Sequence, residues 1–141
     1  MENQKEMGNC YLSAFELMML NKNLTLVHGI VHFDGGIMEG VPMIHAWCEL
    51  NDAIVLDYSN NREIIVSKDF YYKRGIISET VKYNHDEMME QLYLHTNEDG
   101  QSMLGFWDKR FLETDRKSLE IARERGVNYV DIEEHERNRV S

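Results

Sequence analysis

Residues 10 to 20, CYLSAFELMML, hold a single charge, Glu16, in eleven positions. No other stretch restricts the fold as much. At helical spacing Leu12, Phe15 and Met19 share one face, and Leu17 and Leu20 widen the apolar surface, so the run predicts a helix buried nearly all round. Asn9, behind Gly8, suits the N-cap, and Asn21-Lys22-Asn23 ends the helix. Such a helix needs other elements to cover it.

The chain downstream supplies a sheet. LTLVHGIVHF (24 to 33) is rich in β-branched and aromatic residues and reads as a strand, closed by the turn Asp34-Gly35-Gly36. Further strands are expected at MIHAWCEL (43 to 50), at AIVLDYS (53 to 59) after the tight turn Asn51-Asp52, and at EIIVS (63 to 67). FYYKRGIISETVKY (70 to 83) is predicted to be extended, as one strand or two. Asn84-His85-Asp86 opens a helix with Met88, Gln91, Leu92 and His95 on one face, and Asn97-Glu98-Asp99-Gly100 is a loop. Residues 111 to 125 form an amphipathic helix ended by Gly126, and VNYVDI (127 to 132) is a short last strand. The expected class is α+β: one domain over residues 1 to 141, with an N-terminal buried helix packed on an antiparallel sheet and helices at the C-terminal end.

Composition narrows the function. Hydrophobic residues make up 43% and charged residues 28%, as in globular chains. No apolar run approaches the roughly 20 residues of a membrane span, and the polar start Met1-Glu2-Asn3-Gln4 lacks the order of a secretion signal, so a cytoplasmic protein away from membranes is expected. A net charge of −10 argues against binding nucleic acid through phosphate contacts. It leaves room for basic protein partners, or for an acidic inhibitor that occupies another protein's nucleic-acid surface. Two cysteines, Cys10 and Cys48, make no disulfide framework and fit a reduced compartment. Neither metal nor cofactor is expected. There is no Cys-x-x-Cys or His-Glu-x-x-His, and His28 and His32 in one strand would lie about 13 Å apart. Oligomeric state is left open.

Cys10, His45 and Asp57 form the constellation with chemical content. A thiol nucleophile works as thiolate, and a helix N-terminus favours negative charge. His45 is suited to take the thiol proton, and Asp57 to accept from one ring nitrogen and aim the other at sulfur. His45, Trp47 and Glu49 share one face of their strand; Val55 and Asp57 share one face of the next. A three-residue loop at 50 to 52 would set His45 opposite Asp57, whereas a two-residue loop would set Ala46 there. Cys48 alternates to the other face and is expected in the core, while Trp47 is expected to wall the site. The Cys10 backbone N–H and the Gln4 side chain are candidate oxyanion donors.

A Cys that opens a buried helix, followed by His and Asp on neighbouring strands, resembles the papain-like fold in its broad sense. His45-Ala46-Trp47 with Asp57 twelve residues after the His is similar to the corresponding segment of transglutaminase-like proteins, and the Gln4-to-Cys10 interval is similar to that of papain-type proteases. The chain departs from these patterns at Tyr11, at Tyr58 and in a Cys-to-His interval of 35 residues. The resemblance spans roughly residues 4 to 60. It implies chemistry at an amide or thioester of a peptide or protein substrate: hydrolysis first, glutamine deamidation included, with acyl transfer to an amine as the alternative.

Overall fold

The computed structural model describes residues 10–32, 34–59, 62–95 and 106–126. Helix α1 (Cys10–Leu20) comes first, then strands β1 (Leu24–His32), β2 (Pro42–Leu50), β3 (Ile54–Asp57) and β4 (Ile64–Ser67). Helix α2 (Lys68–Arg74), strand β5 (Glu79–Tyr83) and helices α3 (His85–Leu94) and α4 (Lys109–Glu124) follow. The five strands form one sheet in the order β4-β3-β2-β1-β5, with every neighbouring pair antiparallel. The architecture is α+β, as expected. Asn97 to Gly100 and the strand predicted at 127 to 132 lie outside the described residues.

Alternation along the strands divides the core into two layers. On one side Cys10, Tyr11, Ala14 and Met18 of α1 and Met88 of α3 pack against Leu24, Leu26, Ala46 and Cys48. On the other, Val27, Trp47 and Val55 are covered by Tyr71 and Tyr72 of α2 and by Ile77. Helix α4 joins β2 through the Ser118 hydroxyl, which donates to the Pro42 carbonyl.

Two expectations fail here. Helix α1 is not buried all round: Met19 is 50% and Leu20 83% exposed, and the covered face is Cys10, Tyr11, Ala14 and Met18. At Ser13 and Ala14 the helix comes close enough for the Cys48 thiol to donate to the Ala14 carbonyl at 3.3 Å, while Leu12, Phe15 and Leu17 pack partly buried against the same core. The segment 70 to 83 is not extended throughout. Ser67 caps α2 by accepting from the Phe70 N–H at 3.2 Å, Asp69 lies in the first turn, and Gly75 ends the helix. The β-propensity of Phe70-Tyr71-Tyr72 yields because a helix brings Tyr71 and Tyr72 together onto Trp47.

Candidate active site

The hairpin β2–β3 sets the geometry. Its loop is residues 51–53, with Leu50 opposite Ile54 and Glu49 opposite Val55. Asn51 and Asp52 take left-handed backbone angles, φ 55° and 56°, which Asn and Asp tolerate in tight turns. The expected register is therefore corrected: continuing the pairing puts Trp47, not His45, opposite Asp57. The slip spans an even number of residues, so Asp57 keeps to the His45 face and reaches the ring diagonally. His45 Nε2 lies 2.8 Å from Asp57 Oδ2.

Beyond its pairing with β3, β2 runs on to Pro42 with no described strand on that side. His45 lies on this stretch. The Cys10 side chain, at the start of α1, interacts electrostatically with the His45 ring there, although α1 packs on the layer opposite to the one His45 faces. With Nε2 directed to Asp57, Nδ1 is the nitrogen left for sulfur. The His45 side chain is 20% exposed and Cys10 only 4%.

Asp57 is held by every lone pair it offers. The Ser59 hydroxyl and N–H donate to Oδ1 at 2.6 and 3.1 Å, and the Tyr71 hydroxyl donates to Oδ2 at 2.6 Å. Burial alone would raise this carboxyl, but the His45, Ser59 and Tyr71 hydrogen bonds prevail and hold it well below the usual carboxylate range. Burial alone would likewise lower His45; the electrostatic interaction with Cys10, then the bond to Asp57, overcome it and push the imidazole up to about 10. Cys48 differs. Burial first, then the charges of Asp57 and Glu49, push its thiol up to about 12. Both cysteines are free thiols.

Trp47 walls the site from within the sheet. Its indole is fully buried, with ring centroids 5.9 Å from His45 and 5.1 Å from Tyr71. Its Nε1–H donates to Glu49 at 3.0 Å, and the Tyr72 hydroxyl donates to the same oxygen at 2.5 Å. Gly29, opposite His45 on β1, makes room for the indole.

Of the residues picked from the sequence, Cys10, His45 and Asp57 come together; Gln4 lies outside the described residues, as do Gly8 and Asn9. Tyr71 and Ser59 were not picked. Ser59 carried a usable signal, since a residue two places after an Asp suits a turn closed by the Asp side chain. Nothing local marks Tyr71. Among the described residues no group of three or more His, Cys, Asp or Glu side chains is placed to hold a metal, and no helix is long and apolar enough to cross a membrane. Comparison with known proteins leaves the chain without an assigned family: no family model matches it, and neither a curated protein nor a solved structure matches it significantly.

Proposed function

We propose that the protein is a thiol-dependent hydrolase of amide bonds on a papain-like or transglutaminase-like scaffold, acting in the cytoplasm on a peptide bond or a glutamine side chain of a protein. The observation that carries this reading is the 2.8 Å hydrogen bond from the His45 ring to Asp57, together with the electrostatic interaction of the same ring with Cys10. Cys10 Sγ attacks the carbonyl carbon as its proton passes to His45, and the C=O π pair moves onto oxygen. The Cys10 N–H, at a helix start where N–H groups lack intrahelical acceptors, and the Gln4 side chain stabilise that oxyanion. Collapse breaks the C–N bond, and the amine leaves with the proton from the His45 imidazolium. Water, giving its proton to His45, then attacks the thioester and releases the acid and the thiol. An amine in place of water would make the same site a transferase. With Cys10 nearly covered, the substrate approaches along the more exposed side of His45.

Brief treatment of the folded protein with iodoacetamide, followed by mass spectrometry, tests the proposal. Cys10 is expected to be labelled ahead of Cys48, and His45→Ala to abolish the preference. Equal or absent labelling refutes it.

The 4% exposure of Cys10 together with the net charge of −10 favours a second reading, a non-enzymatic acidic interaction or inhibitor protein in which Cys10, His45 and Asp57 only tie elements together. In that case Cys10 is alkylated only on unfolding, and partner binding survives Cys10→Ala but weakens with salt.

A further inference from the structure

We propose that Tyr71 is a positioning residue that tempers His45, because its hydroxyl donates to the same Asp57 oxygen, Oδ2, that holds the His45 ring. This role presupposes the thiol-hydrolase chemistry proposed above.

The two carboxylate oxygens of Asp57 have different work. Oδ1 takes both Ser59 bonds, which fix the carboxylate in place without help from α2. Oδ2 is shared, with the Tyr71 hydroxyl at 2.6 Å and His45 Nε2 at 2.8 Å. Two donors on one oxygen divide its negative charge, so each weakens the hold on the other. Tyr71 is well mounted for this, on a capped helix with its ring against Trp47. Burial and the neighbouring Asp57 charge raise its own hydroxyl, so it remains a donor. Among the described residues, the ionisable groups around the ring are Cys10 from α1, Asp57 from β3 and, through Asp57, Tyr71 from α2; β1 presents the uncharged Gly29. A catalytic imidazolium must give up its proton to the leaving amine. Tyr71, by taking a share of Oδ2, eases that release, while Ser59 keeps the ring aimed.

The test follows the His45 ring resonance and the rate of Cys10 alkylation by iodoacetamide against pH, in the full chain. In Tyr71→Phe, which keeps the ring on Trp47, the His45 midpoint is expected to rise by about one pH unit, with the alkylation profile moving alongside. Placing 3,5-difluorotyrosine at position 71, a stronger donor of nearly the same shape, is expected to lower the midpoint and provides the test if the phenylalanine variant does not fold. An unmoved or lowered midpoint in Tyr71→Phe, or a raised one with the fluorinated residue, overturns the role of Tyr71. If alkylation in the parent chain ignores His45→Ala, the hydrolase reading falls instead.

Discussion

Gly29→Ala is the sharpest test of how the site is built. A methyl group at position 29 would lie 2.5 Å from Trp47 Cη2, 3.1 Å from Cζ3 and 3.1 Å from the Glu79 carbonyl oxygen. Carbon atoms in contact sit about 3.5–4.0 Å apart, so the indole has to retreat by about 1 Å. Trp47 is fully buried among Val27, Val55, Tyr71 and Tyr72 and has nowhere to go. Overpacking of this sort costs about 1–3 kcal/mol, and stretching the Nε1 bond to the buried Glu49 adds about 1 kcal/mol. Gly29 is not in the left-handed region, so alanine itself is unstrained and returns about 0.4–1 kcal/mol by restricting the unfolded chain. The net loss is about 1–3.5 kcal/mol, or roughly 3–10 °C in Tm for a chain this long. Urea unfolding followed by circular dichroism measures it. The decisive measurement is a double-mutant cycle with Trp47→Phe, whose ring lacks the clashing atoms. In that background Gly29→Ala should be neutral or slightly stabilising, giving a coupling above about 1 kcal/mol. Additive losses, or a wild-type midpoint for Gly29→Ala alone, would refute the packing argument.

Asp57→Asn keeps the shape but removes the charge beside His45, so the imidazole should titrate below about 10 and Cys10 should react more slowly with iodoacetamide at neutral pH; an NMR titration with alkylation kinetics checks both. His28 is 1% exposed, its Nδ1 has no hydrogen-bond partner among the described residues, and burial lowers it from 6.5 to about 3. Between those values the unfolded chain binds the extra proton, so stability should fall as pH drops from about 6.5 towards 3, by on the order of 4 kcal/mol, and His28→Phe should flatten that limb of the urea-midpoint profile. Asn84→Ala should cost about 1 kcal/mol in urea unfolding, because the Asn84 side chain accepts from the Glu87 N–H and Glu87 from the Asn84 N–H, both at 2.8 Å.

Local chemistry made much of this fold readable from the sequence. Asn84-His85-Asp86 marks the start of α3, Asn51-Asp52 marks the hairpin turn, and Gly126 follows the end of α4. The shared face of His45 and Asp57 was also legible, since strand parity survives an even error in register. What escaped depended on contacts between distant segments. Phe70-Tyr71-Tyr72 looks like strand until Trp47 is placed beside it, and which side of α1 is buried is set by the sheet it packs on. The bond from Tyr71 to Asp57 joins residues 14 apart in two elements whose types first had to be known.

Cys10, His45, Asp57 and Tyr71 each come from a different element: α1, β2, β3 and α2. No short fragment of the chain contains all four, and closing the link from Cys10 to Asp57 bridges 47 residues. Their mutual contacts arise late in assembly, when distant pieces meet, rather than with the first local turns. If Cys10 is activated as proposed, a nascent or partly melted chain would carry an ordinary thiol, and the reactivity of this one sulfur would double as a gauge of whether the whole N-terminal half is intact.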